Sequence, residues 1–335
     1  MRGGLSGMRP WLDSWNAYWF PETSALRLSV CRIIVVFAQL FLFLPPLDSQ
    51  LSLVRPFKGF IEPQALIVAI SAILPSEAFP TGSALLTIYW VTVASGITAL
   101  IGLATRPSAF IFALGNWILV AHAYSYGEDH HPEAILCILL MLFAFSPSGR
   151  CLSVDSLIRR LGRRPRENSE GEWSEKIPTA MWPLKLTQVL LAFAYVSTGF
   201  AKVVFGGFQW VNGYTLQQYV LSSAVKRALP LGKWLAQQHG LCVWLSIGVI
   251  LFEVFFILAL IFPRSLPYFL VGGLLMHGGI LLTEGSPFFQ YIVLYAVFMD
   301  FDWLVPALRR RGSSSLSGEL VPVLKLAPSR RNPGS

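Results

Sequence analysis

The chain reads as an all-α protein, a polytopic bundle of about eight transmembrane helices with both termini on the cytoplasmic side. Three observations predict this. Hydrophobic residues make up 54% of the 335 positions and charged residues only 13%, far from the balance of a soluble domain. The apolar residues gather in runs near the length of about twenty that a helix needs to cross a bilayer core. Most Lys and Arg residues stand beside those runs rather than inside them, as on the cytoplasmic face of a membrane protein.

Residues 1–25 form a cytoplasmic N-terminal segment in this reading. Arg2 and Arg9 are followed by Pro10, Trp11 and Asp13, and no small-residue cleavage site follows the first apolar run, so no removable signal peptide is expected. The transmembrane domain occupies residues 26–307, with spans over 26–44, 83–104, 107–124, 132–147, 182–205, 239–262, 265–283 and 288–307. The shorter run from Gln64 to Leu74 suits an interfacial or re-entrant segment. Pro107, Pro132, Pro183 and Pro287 stand at or near span starts, where a missing N–H costs nothing because that donor has no helical partner. Residues 308–335 are rich in Ser, Pro and Gly and read as a disordered basic tail.

Orientation follows from the basic inner loop, 148–181. Its stretch from Arg150 to Lys176 carries seven Lys or Arg, and placing it in the cytoplasm gives the inner segments 17 such residues against five outside. Within this loop, Leu152 to Leu161 alternates apolar and basic residues at helical spacing, predicting a short helix on the anionic inner leaflet. The net charge of +8 is thus a membrane signature, and no nucleic-acid partner is expected. The plasma membrane is the expected location, and membrane lipids are the expected partners. The four cysteines show no paired spacing, so neither a disulfide framework nor a zinc site is predicted.

A few polar residues interrupt the apolar runs. Gln188, Tyr195, Thr198 and Lys202 fall at i, i+7, i+10 and i+14, a polar stripe along one face of the fifth span. A lysine that only anchors a helix end needs no such companions. One turned into the bundle needs hydrogen-bond partners, because a charge inside the bilayer costs at least a few kcal/mol. The stripe favours an inward Lys202, and anchor and base both stay open as roles. Lys185 lies about 25 Å earlier along the helix and marks the inner boundary, which puts Lys202 at the outer end.

The loop entering the fourth span, Tyr126-Gly127-Glu128-Asp129-His130-His131-Pro132-Glu133, is acidic and rich in imidazole. Adjacent histidines in a turn seldom both point at one ion, so no metal is expected. A solvated turn and a catalytic or hydrogen-bonding role for one histidine, able to titrate near neutral pH, are the readings kept. His277, in the outer part of the seventh span, shares a depth with Lys202 in this scheme and is either a satisfied structural residue or part of the same cavity. Glu253 in the sixth span and Arg32 in the first fall toward the inner half by depth counting. They are expected to pair as structural charges.

Several of these residues carry a resemblance. The histidine-bearing loop, Phe145-Ser146-Pro147-Ser148-Gly149-Arg150-Cys151-Leu152-Ser153-Val154-Asp155, the segment Gly199-Phe200-Ala201-Lys202 followed by Gln209-Trp210-Val211-Asn212-Gly213-Tyr214, and the span holding His277 occur in one order. In that order the chain resembles the horizontally transferred transmembrane (HTTM) family, which includes the membrane domain of vitamin K-dependent gamma-glutamyl carboxylase. In the carboxylase a lysine deprotonates reduced vitamin K, whose reaction with oxygen yields a base strong enough to take a glutamate gamma-proton.

The resemblance implies Lys202 as that lysine, His131 rather than His130 as the family histidine of the loop, and His277 as a third catalytic residue. It further implies a reduced, vitamin K-like quinone held by Trp210, Asn212, Tyr214 and Tyr195. An amine in an apolar site loses its proton more easily, which suits a base. Two departures weigh against carboxylation itself: Ala201 replaces the lysine that precedes the catalytic one, and the family's soluble substrate domain has no counterpart here. The expected function is therefore a lysine-base enzyme on a quinone-like or other lipophilic substrate, carboxylase-like (a lyase) or quinone-dependent and oxygenating. The alternatives are a non-catalytic lipid- or quinone-binding or scaffold module and, third, a transporter.

Overall fold

The computed structural model describes residues 8–54, 62–73, 81–127, 131–162 and 176–306. His130, the segment 163–175 of the basic loop and the expected tail after 307 lie outside the described residues, and of His131 only the backbone is described. Helix α1 (Met8–Trp19) leads through a two-residue strand β1 (Thr23–Ser24) to α2 (Ala25–Ala38), which continues as a π-helical turn, Gln39–Phe43. The short α3 (Leu47–Leu53) and α4 (Ala65–Ile73) precede the long pair α5 (Gly82–Ile101) and α6 (Thr105–Tyr124). After α7 (His131–Ala144) and α8 (Val154–Leu161), strand β2 (Lys176–Ile177) opens the second half. There follow α9 (Trp182–Ala201) with a π-helical turn Lys202–Gly206, α10 (Phe208–Val211), α11 (Tyr214–Lys226) and α12 (Pro230–Ala236). The chain ends its described course in α13 (His239–Phe255), α14 (Leu258–Ile261), α15 (Leu266–Glu284) and α16 (Phe289–Leu294), which tightens into a 3-10 turn at Tyr295–Phe298.

Among the described residues, five helices are long and apolar enough to cross a membrane: Ala25–Phe43, Gly82–Ile101, Thr105–Tyr124, Pro178–Gly206 and Pro263–Glu284. The pair α12 and α13, bent by 98° at its break, adds a sixth if taken as one span. The chain is thus an all-helical membrane protein apart from one ladder, in which Thr23 pairs with Ile177 and Ser24 with Lys176. Strands of two residues leave no alternation to read, so this ladder was not foreseen. It ties the start of α2 to the start of α9. Pro107, Pro132 and Pro183 fall within the first three residues of α6, α7 and α9, where the missing N–H is harmless.

The surface shows what the chain was built for. Phe205 (88% exposed), Trp244, Leu275 and Phe193 all project outward, an apolar exterior that water would penalise and lipid tails do not. The interior is held by close contact instead. The α5–α6 pair is the tightest, because Gly115 lacks the Cβ that would strike the Thr92 side chain. Buried residues of α2, α6, α7 and α9 meet the 295–298 turn in one core, and Leu136, Leu139, Leu140 and Phe143 of α7 are fully enclosed.

One end of the bundle is stitched by the Phe145 to Asp155 segment. Ser153 and Ser156 form a reciprocal capping box at the start of α8. Asp155 in turn accepts from the backbone N–H of Ala104 (2.8 Å) and from both the N–H and the hydroxyl of Thr105 (2.7 Å each), capping α6 from outside. Burial alone would raise the Asp155 carboxyl. These hydrogen bonds, with Arg159 nearby, outweigh it and hold the group below its usual value. The expected surface helix is therefore present as α8, and its Leu157, Ile158 and Leu161 are left exposed. The N-terminal segment also holds a helix the sequence reading passed over. Trp11, Trp15 and Trp19 recur every fourth residue on α1 and their rings meet in sequence at 5.5 and 5.6 Å, an aromatic stripe of the kind found at membrane interfaces.

Candidate functional site

Lys202 begins the π-helical turn that follows α9, and it points inward as the polar stripe predicted. Its Nζ lies 2.6 Å from each carboxylate oxygen of Glu253 on α13, with only 16% and 8% of the two side chains exposed. The opposite wall is Trp210, whose ring centroid is 5.2 Å from Nζ in a cation–π contact. Gly199 makes the pairing possible. A Cβ there would come within 2.8 Å of Glu253 Cβ and 2.9 Å of the Val254 backbone nitrogen, so the absence of a side chain lets α9 and α13 approach.

This pairing corrects the expected partnership of Glu253 with Arg32. Arg32 is fully buried, but it donates to the carbonyls of Ser148 (3.1 Å) and Leu152 (2.7 Å), closing the loop before α8. Depth counting failed for a physical reason. The helical unit around α9 runs over Pro178–Gly206, 29 residues, longer than the roughly twenty that cross a bilayer core. Residue counts along such a unit do not fix relative depth, and Glu253, expected toward the inner half, lies beside Lys202.

Two turns below, the stripe continues. The hydroxyl of Tyr195 is 2.8 Å from His277 Nε2 on α15 and 2.8 Å from the hydroxyl of Tyr295. His277 stacks on Tyr291, with ring centroids 5.1 Å apart and planes within 5°, and its buried Nδ1 has no hydrogen-bond partner among the described residues. Gln188, a further two turns down, donates to the Val297 carbonyl at 2.7 Å. Thr198 departs from the stripe. It is exposed, with its hydroxyl bonded back to the Ala194 carbonyl at 2.7 Å, a bond that satisfies it without any neighbour. His277 thus meets Tyr195 rather than Lys202, and Tyr195 lies about 10 Å before Lys202 along α9.

The remaining expected residues are scattered around this axis. Trp210 is shared between Lys202 and a stacking contact with Tyr219. Asn212 accepts from the Tyr214 N–H at 3.0 Å, a turn-forming bond, and the exposed Tyr214 ring rests on His239 at 4.3 Å. A cavity of about 480 Å³ beside α10 and α11 takes part of its lining from Asn212, Tyr214 and Tyr219. A second, of about 320 Å³, lies between α11, α13 and α15 and is walled by Val220, Trp244, Gly248, Leu275 and Met276. Neither is lined by Lys202 or His277. The residues that sequence reasoning missed are Glu253 as the lysine's partner and the rings of Tyr291 and Tyr295 around Tyr195. Consecutive spans tend to be neighbours, and that rule applied to the fifth and sixth would have chosen Lys202 for Glu253 over Arg32.

The fold and this axis define an integral membrane protein in which Lys202, Glu253, His277 and Tyr195 meet along one side of α9. The family model of the HTTM domain matches residues 25–303, most of the chain, and the chain belongs to the HTTM family. No curated protein and no solved structure matched it.

Proposed function

We propose that the protein is a membrane enzyme in which Lys202, paired with Glu253, takes a proton from a lipophilic, quinone-like substrate. The bidentate Lys202–Glu253 contact at 2.6 Å carries the reading, since it gives the amine a proton acceptor within reach. The Glu253 carboxylate is placed to take the ammonium proton, which would leave a neutral amine and a neutral acid. The neutral amine can then accept the proton of a substrate hydroxyl, a general-base step. A reduced, vitamin K-like quinone fits the residues present. The Nδ1 of His277, buried and without a hydrogen-bond partner among the described residues, would take a ring oxygen once the side chains enclosing it part, and the apolar groove of Gly248 and Trp244 suits a hydrocarbon tail. Such a quinone would supply the acidic hydroxyl. Trp210, Asn212, Tyr214 and Tyr195 would hold it, and His131 and His277 would orient it.

The same proposal includes eight spans with both termini inside and residence in the plasma membrane. The five or six long spans are joined by two shorter apolar helices, Glu133–Ala144 and Phe289–Phe298, and the basic loop beside α8 gives the inward bias. A second reading is favoured by one observation: neither cavity touches Lys202 or His277. On that reading the ion pair is an interhelical tie in a non-catalytic lipid- or quinone-binding module. Mass spectrometry of small molecules co-purified with the native chain and with Lys202→Ala decides between them. A quinone held by the native chain and lost or chemically altered in the variant is expected. The same complement in both, with no quinone, would overturn the proposal.

A further inference from the structure

We infer that the groove between α11, α13 and α15 binds a single-chain, uncharged lipid with a hydroxyl head, such as a monoacylglycerol, and that Glu284 receives the hydroxyl. The cavity of about 320 Å³ there owes its room to glycines. At Gly115 and Gly199 another helix fills the place of the missing side chain, but a Cβ at Gly248 or Gly279 would meet nothing within 4 Å. These two leave a space where the helices could have closed. Trp244 and Leu275 also line it and are each 72% exposed, so it opens sideways, to lipid rather than to water. Gly272 and Thr283 mark its extent along α15, about 16 Å at the helical rise, which suits an extended chain. The volume is near the low end for ligand pockets and has room for one chain, not two.

One end of the groove is polar. Thr283 and Glu284 line it there, and the Thr283 hydroxyl is committed to the Gly279 carbonyl of its own helix at 2.8 Å. Glu284 takes no hydrogen bond and no ion pair from the described residues. A carboxyl group accepts hydrogen bonds in either protonation state, so Glu284 calls for a donor on the occupant. An anionic head, as on a fatty acid, would face a like charge. An ammonium head would meet Arg227, whose Nη1 donates to the carbonyl of Gly285, the next residue, and which stands beside the acid without pairing with it. A hydroxyl meets neither repulsion and satisfies the carboxyl. The inference concerns what this end of the groove selects, and it stands whether or not Lys202 acts as a base.

Native mass spectrometry of the full-length chain in detergent, titrated with monopalmitoylglycerol, palmitic acid or hexadecylamine, which share one chain length, tests the proposal. The native chain is expected to retain monopalmitoylglycerol in preference to the acid and the amine. Glu284→Leu should lower that retention by at least about tenfold, the worth of one hydrogen bond to a charged group. Glu284→Gln keeps an acceptor and removes the charge, so it should still hold monopalmitoylglycerol and now admit palmitic acid; its binding also controls for loss of folding. Gly248→Leu with Gly279→Leu fills the groove and should abolish retention of all three. Equal retention of the three amphiphiles by the native chain, or undiminished retention of monopalmitoylglycerol in Glu284→Leu or in the filled variant, would each overturn the assignment.

Discussion

Breaking the Lys202–Glu253 pair from one side should cost far more than replacing it whole. At 2.6 Å the attraction between the two charges is about 6 kcal/mol at an effective dielectric constant near 20. Desolvation removes several kcal/mol for each ion, so the intact pair is close to break-even against apolar groups of similar volume. With side-chain exposures of 16% and 8%, water does little to rescue a charge left alone. Lys202→Met and Glu253→Leu are each expected to destabilise the chain by about 3–5 kcal/mol. The double variant should stay close to the native chain, far above either single variant in stability, so that the two single losses do not add. Equilibrium unfolding by SDS in mixed micelles, followed by far-UV and near-UV circular dichroism, measures all four corners of the cycle. A double variant as destabilised as the sum of the singles would show that the two groups do not act as a pair, and the argument from their geometry would fail with it.

Two further outcomes follow from the same packing. Asp155, held below its usual value in the folded chain, stabilises above the ordinary carboxylate range, and that contribution is lost as pH falls through its folded value; Asp155→Ala should cost about 1.5–3 kcal/mol at neutral pH and flatten the acid side of a stability–pH profile. Gly199→Ala should cost about 1–3 kcal/mol in the mixed-micelle assay by forcing α9 away from Glu253 and Val254, whereas Gly248→Ala, whose Cβ would meet nothing within 4 Å, should stay within about 0.5 kcal/mol of the native chain. Equal losses at both glycines would contradict the close approach assigned to Gly199.

How far the sequence could be read depended on the kind of signal each element left. Long apolar runs name their own helices, and α2, α5, α6, α9 and α15 were all legible for that reason. The inward turn of Lys202 was legible too, since Gln188 and Tyr195 repeat on its face and both proved buried. Thr198, at the edge of the same stripe, was misjudged because a hydroxyl can satisfy itself on its own helix and so tolerates lipid. The partner of Lys202 was hidden by length. A helical unit of 29 residues has no obligation to begin at the membrane surface, so residue counts along it do not give depth. The segment Phe145 to Asp155 was legible as a motif but not as a device. Its serines close locally on the Phe143 and Gly149 carbonyls, whereas its Asp155 reaches the start of α6, a contact between distant stretches that no local pattern encodes.

The Lys202 question is therefore narrower than it was in the sequence. An inward lysine with no acid beside it would have to stay neutral or draw in water, and either state would suit a base. With both oxygens of Glu253 on its ammonium, the amine becomes available only when the proton passes to the carboxylate or when a substrate competes for Glu253. Replacing Glu253 by Gln keeps the shape and removes the acceptor. If Lys202 is a base that relies on that acceptor, the Gln variant should still hold the lipophile but lose its turnover; if the pair is only a tie, the variant should lose stability and leave the bound lipophile unchanged.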